Sequence, residues 1–285
     1  MALAVKQPER LRAGLKNFMR IFSEIYDRRE LLYNLVTRNL KSRYKNSFLG
    51  FLWSVLVPLF MAFVYMIFLR ILRAGISMEE ILIGVFAWQF TAQSIGNGLS
   101  CISENSTLVK KVYFPKIILP LSVTLSNLVN FVLSLLVQFA LVAILVARHG
   151  SHISAWSLAV PLLIGYHAIF CFALALFLSA LNVFFRDLEH LVGVMTTAWF
   201  FMSPAMYSLV LVTDIAVKLE MPVLAQIYML NPMATIITAY KALILPNVQF
   251  PWSIYSGIAW FIPVVFLLAA YYLFRKLENY FADVY

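Results

Sequence analysis

The sequence predicts an all-α integral membrane protein. It expects six transmembrane helices, an N-terminal amphipathic interface helix and a re-entrant pair of external helices before the last span. Three observations carry this reading. The 285 residues are 62% hydrophobic and 12% charged, with a mean hydropathy of +0.85, whereas a soluble globule has about 25% charged and 45–50% apolar residues. Six mostly uncharged stretches recur along the chain, each long enough to cross about 30 Å of hydrocarbon as a helix. The dyad alternation of membrane β-strands is absent from the sequence.

Residues 1–27 alternate basic and apolar side chains without a continuous apolar run or a small-residue cleavage site. They read as a cytoplasmic N-terminal segment, not a signal peptide. Residues 28–47 place Leu32, Val36, Leu40 and Tyr44 four apart, with Leu31 and Leu35 beside them and Arg38, Lys41, Arg43 and Lys45 mostly opposite. That pattern is an amphipathic helix for the membrane interface, serving either as an anchor or as a gate.

A transmembrane domain follows over residues 48–274, with spans at 48–69, 81–102, 117–147, 156–185, 191–213 and 251–274. Pro58, Pro120, Pro161, Pro204 and Pro263 punctuate five of them, and Gly96 and Gly98 stand in the second. Membrane helices tolerate such breakers because neighbours satisfy the freed backbone groups. Residues 214–250 are too long for a simple loop and too apolar for a solvated one. Asn231–Pro232 there reads as a helix cap followed by a helix start. The last eleven residues, 275–285, form a cytoplasmic tail.

Eleven of the 22 Lys and Arg residues precede Phe48, and 17 fall on one side of the expected topology. Arg70, Arg73, Arg148, Lys218 and Lys241 lie on the other. The positive-inside bias puts both termini in the cytoplasm. The same placement explains the +9 net charge as orientation signals and lipid-headgroup contacts, with no nucleic-acid partner. Two compact charged hinges then face the cytoplasm: residues 104–116 (ENSTLVKKVYFPK) and residues 182–190 (NVFFRDLEH).

Reaction chemistry is missing. No GxxxxGK[ST], HExxH or GxSxG motif occurs. Asp187, Glu189 and His190 are adjacent, so they diverge around a helix and read as a charged helix start. His167 reads as a packed, hydrogen-bonded residue. Cys101 and Cys171 lack metal-ligand spacing and read as buried thiols. Gln89, Gln93, Asn97, Asn127, Asn130, Gln138 and Asn182 are either interhelical glue or hydroxyl-binding groups. Among many interfacial aromatics, Trp88, Phe90, Trp199, Phe200, Phe201 and Tyr207 are candidates to line a conduit.

The segments RYKNSFLGFLWSVLVPL, LVKKVYFPKIILPLS, LSALNVFFRDLEHL, LNPM and RKLENYFADVY occur in this order. From about Leu31 to the C-terminus the chain resembles the transmembrane subunits of type-2 ABC exporters for polysaccharides, the O-antigen and polyol-phosphate export permeases. The resemblance implies a homodimer in the bacterial inner membrane, docked on two copies of a cytoplasmic ABC ATPase subunit. That subunit would bind ATP and Mg; the permease would carry no cofactor and catalyse no reaction. The cargo would be lipid-diphosphate-linked polysaccharide, with the motif wording closest to O-antigen export for lipopolysaccharide biosynthesis. Teichoic acid and capsular polysaccharide exporters are the alternatives within the family.

By the same resemblance, residues 104–116 form a coupling helix that opens at Glu104 and offers Leu108, Lys110, Lys111, Tyr113 and Phe114 to the ATPase. Arg186 and Asp187 belong to a second contact. Residues 28–47 become a gate helix whose Arg38, Arg43 and Tyr44 meet the lipid-linked diphosphate, and Asn231 and Pro232 belong to an external gate. From other classes, a lipid-modifying membrane enzyme would need paired carboxylates or a His cluster at membrane depth, and a stand-alone channel would work without a partner.

Overall fold

A computed structural model describes residues 24–45, 47–72, 75–185 and 187–284, apart from the side chains of Tyr44, Ala282 and Asp283. Arg73, Arg186 and most of the expected N-terminal segment lie outside the described residues. The helices are α1 (Arg29–Tyr44), α2 (Leu52–Ile71), α3 (Met78–Ser100), α4 (Ser106–Lys111), α5 (Ile118–Arg148), α6 (Val160–Asn182), α7 (Leu188–Phe201), α8 (Leu209–Lys218), α9 (Val223–Tyr228), α10 (Pro232–Ile244), α11 (Ile254–Leu277) and α12 (Phe281–Val284). No strand is present among the described residues.

Among the described residues, four helices are both long and apolar enough to cross a membrane: α2, α5, α6 with its 3-10 lead-in, and α11. With the apolar α10 beside them, they make this a multi-pass membrane protein. At 23 residues α3 has the length for a crossing, but its Gln, Asn and Gly residues dilute its apolar character. The expected fifth span is not one helix. It divides into the 14-residue α7, a turn and the 10-residue α8. A 14-residue helix covers about 21 Å, short of the bilayer core. The hydropathy of residues 191–213 is continuous, but Ser203–Pro204 interrupts the backbone ladder, since Pro lacks the N–H a helix interior needs.

The prolines divide by position. Pro58 and Pro263 lie inside α2 and α11, while Pro161 stands in the first turn of α6, where its missing N–H costs nothing. Pro120 is in the first turn of α5 and Pro204 lies in the α7–α8 turn. Helix α5 runs for 31 residues and stops where Gly150 takes φ +71° and Ser151 N–H donates to the Val146 carbonyl at 3.1 Å. This closure suits glycine at a left-handed position.

Helices α3, α5 and α6 form the centre, with α2, α10 and α11 packed around them. Close approach explains Gly98: an added Cβ would lie 2.6 Å from the Ala175 Cβ of α6. At Gly84 a Cβ would collide with the Ala205 carbonyl in the α7–α8 turn. Gly96 meets nothing within 4 Å. Small residues let membrane helices touch backbone to backbone.

Two apolar cores result. The larger runs through Ile81, Phe86, Phe131, Phe170 and Tyr240. The smaller joins Leu35, Ile102, Val109, Phe114, Phe274 and Phe281, tying α1, α4 and the C-terminal helices into one end of the molecule.

Candidate functional site

The 104–116 hinge is built by a short amphipathic helix. Val109 of α4 points into the smaller core, while Lys110, Lys111 and Glu104 are exposed and Leu108 is half-buried. Ser100 Oγ donates to Glu104 Oε1 at 2.7 Å, fixing that carboxylate to the end of α3. Tyr113 projects outward with 96% of its surface exposed. Phe114 corrects the sequence expectation: it is 6% exposed and packed beside Val109 and Phe281. It anchors the hinge to its own protein, because an aromatic ring recovers more by filling that core than by facing water.

The C-terminal helices brace the hinge. Lys116 Nζ donates to the Glu278 carbonyl at 2.7 Å and lies 5.7 Å from the centre of the Phe281 ring. A cleft of about 900 Å³ runs between the hinge and this brace, lined by Asp27, Lys110, Tyr113, Lys116, Arg275 and Glu278. Asp187 is exposed at the N-cap position of α7 with Glu189 in the first turn, the charged helix start the sequence predicts. Arg186 lies outside the described residues.

Helix α1 keeps its expected amphipathic character. Leu35 is buried and Leu31, Leu32, Val36 and Leu40 are half-buried, while Arg38, Lys41 and Arg43 are exposed. Both candidate arginines hold neutral amides. Arg38 Nη2 donates to Asn105 Oδ1 at 2.6 Å. Arg43 donates from Nη1 to Gln93 Oε1 at 2.9 Å and from Nη2 to Asn127 Oδ1 at 2.7 Å. Asn127 Oδ1 also accepts from Asn97 at 3.1 Å. Asn182 Nδ2 donates to the Leu99 carbonyl at 3.1 Å, so these amides act as interhelical glue. Tyr44 closes α1; its side chain lies outside the described residues.

The aromatic candidates do not share one surface. Trp88 meets Trp199 at 5.8 Å and Phe200 at 5.6 Å, and Phe200 meets Tyr65 at 5.3 Å and Phe201 at 5.2 Å. Tyr65, Trp88, Phe200 and Phe201, but not Trp199, border a groove of about 420 Å³ between α2, α3 and α7, whose polar lining includes Gln89, Thr196 and Thr197. Phe90 does not belong there. Two residues on from Trp88, it points to the opposite side of α3, stacks on Phe131 at 4.7 Å and lies 4.9 Å from His167. His167 Nε2 shares a hydrogen bond of 2.7 Å with Thr91 Oγ1, as expected of a packed histidine. Tyr207 lies apart from the groove, its hydroxyl 2.9 Å from that of Tyr228 and donating to the Phe201 carbonyl at 2.9 Å.

At the other end of the bundle, Asn231 and Pro232 start α10 as predicted. Asn231 Oδ1 accepts from Met233 N–H at 3.0 Å and from Trp199 Nε1 at 2.8 Å. Its Nδ2 donates to the Met202 carbonyl at 2.9 Å and to Ser203 Oγ at 3.0 Å. One amide thus caps α10 and ties it to the end of α7.

Sequence reasoning placed Lys241 among the external lysines without a role; it is 2% exposed. Its Nζ donates to the Pro204 carbonyl at 2.8 Å and the Tyr207 carbonyl at 2.7 Å, with Glu80 Oε2 at 3.7 Å. These bonds serve the carbonyls that the α7–α8 break sets free, as buried irregular backbone requires. Lys241 lies on α10, whose 13 residues are too few to cross a bilayer. Burial lowers its pKa to about 8, against the opposing pull of Glu80. Nearby, His149 Nδ1 lies 3.0 Å from Glu79 Oε1. The only sequence signal for this arrangement is a Lys seated among buried-type apolar residues of α10.

Residues 30–245 match the family model described as ABC-2 type transporter. The chain is 35% identical over 272 residues to the "O-antigen export system permease protein RfbA" of Myxococcus xanthus, covering 93% of this chain and 99% of that protein. It is 30% identical over 259 residues to a Klebsiella pneumoniae protein of the same name, covering 90% and 95% respectively.

Proposed function

Because the chain belongs to the ABC-2 type transporter family, we propose that it is the permease subunit of an O-antigen exporter. It carries lipid-diphosphate-linked polysaccharide across the bacterial inner membrane. The carrying observation is the end-to-end match to O-antigen export permeases, at 35% identity over 99% of one of them. The energy comes from a separate ATPase subunit that binds ATP and Mg, because this sequence has no phosphate loop.

The basic hinge end faces the cytoplasm under the positive-inside rule, with both termini. There Lys110 and Lys111 offer charge to the ATPase, and Tyr113 an exposed aromatic anchor of the kind that interface hot spots favour. Two copies of the permease enclose the path. The groove at Trp88, Phe200 and Phe201 supplies aromatic faces for sugar C–H surfaces, while Gln89, Thr196 and Thr197 meet hydroxyls. Nucleotide on the ATPase biases the open state, since a conformational change requires a ligand that distinguishes the two states.

Deleting the gene in its host tests the function. The expected result is loss of surface O-polysaccharide, accumulation of lipid-linked polymer inside the cell and restoration by the wild-type gene. Unchanged surface polysaccharide would refute the proposal.

A further inference from the structure

Asn105 occupies the N-cap position of α4, yet its side chain makes no capping bond. An asparagine there normally accepts from a backbone N–H of the first turn. This one instead joins two other elements: Oδ1 accepts from Arg38 of α1 at 2.6 Å and Nδ2 donates to the Cys101 carbonyl at the end of α3 at 2.7 Å. The Glu104 carboxylate next to it is held by Ser100, so the Arg38 bond goes to the amide rather than to the neighbouring acid. Leu35, one turn before Arg38 on the same face, lies in the apolar cluster that contains Val109 and Phe114. Helix α1 is therefore tied to the hinge by a charge-assisted bond and shares one apolar cluster with it. At the far end of the same helix, Arg43 grips Gln93 of α3 and Asn127 of α5.

We infer that the Arg38–Asn105 bond transmits displacement of the coupling hinge to α1, and through Arg43 to the Gln93–Asn127 amides of the bundle interior. Arg38 and Asn105 are then positioning residues for transport. Arg38 acts through Asn105 and not by holding cargo. The inference rests on the exporter reading for what is transported, but the link itself can be read without cargo.

The test uses the full permease–ATPase complex in liposomes, with a fluorophore on Lys41→Cys of α1. Lys41 is exposed, and the native Cys101 and Cys171 are buried. Binding of a non-hydrolysable ATP analogue should change the fluorophore signal in the otherwise unchanged protein. Arg38→Leu and Asn105→Leu should each reduce that change about tenfold, in line with the loss of a hydrogen bond to a charged group. The double variant should be no worse than either single one, and Asn105→Asp, which keeps an acceptor for Arg38, should restore the change.

An undiminished change in Asn105→Leu, additive losses in the double variant, or no nucleotide response at all would overturn the inference. Failure of the wild-type protein to export O-polysaccharide would refute the proposed cargo and leave this measurement intact.

Discussion

Tyr113 and Phe114 are neighbours in sequence with opposite surroundings, one 96% and the other 6% exposed. The hinge turns one ring outward and seals the other into the core. Phe114→Ala should therefore cost about 3–5 kcal/mol, the usual range for emptying a buried aromatic site, seen as earlier thermal unfolding in detergent. Tyr113→Ala should leave unfolding unchanged and weaken co-purification of the ATPase. Lys241→Met should destabilise by about 3 kcal/mol, because it leaves two buried carbonyls unserved and Glu80 without its cation. Asn231 was legible in sequence because a cap is a local event, decided within three residues. Lys241 was not, because its partners lie 34 and 37 residues away and only the fold brings them together. Phe90 was misread for a similar reason: composition marks an aromatic but not which way its helix face turns.

At the scale of elements, the amphipathic α1 could be read from spacing, since a buried stripe leaves a periodic trace, whereas the short α4 was expected only from the family resemblance. The division of the fifth span could not, because a hydropathy window averages across one Ser–Pro step. That division rests on contacts from another helix: Asn231 and Lys241 hold the turn, and Gly84 lets it approach α3. Gly84→Ala should push Ala205 away and destabilise by about 1–3 kcal/mol, measured by heat-induced loss of the monodisperse protein. Reversing both charges in Lys110→Glu/Lys111→Glu should release the ATPase while the fold persists, because Val109 and Phe114 keep α4 seated. Normal ATPase association would remove α4 from the coupling role.

For the whole molecule, the helical membrane class was legible from composition and span length, the strongest signals a bilayer imposes. Which helices lie centrally was less so, because α3 is the most polar of the long helices yet lies in the middle. It can be there because its amides find partners on α1 and α5. The hinge end gathers α1, α4 and the C-terminal helices, and the opposite end holds the Glu79–His149 and Lys241 contacts. This polarity predicts that a reporter fused to the C-terminus is active only as a cytoplasmic protein, which paired cytoplasmic and periplasmic reporters can check.

In the proposed exporter this chain provides the path, while a separate ATPase, acting through residues 104–116, provides the energy. ATP-driven movement of lipid-linked O-polysaccharide in proteoliposomes, followed as glycan becoming inaccessible to an external lectin, tests it most directly. Movement should occur only with both subunits and ATP, and should be lost in Lys110→Glu/Lys111→Glu. Movement by the permease alone, or none from an intact complex that hydrolyses ATP, would contradict it.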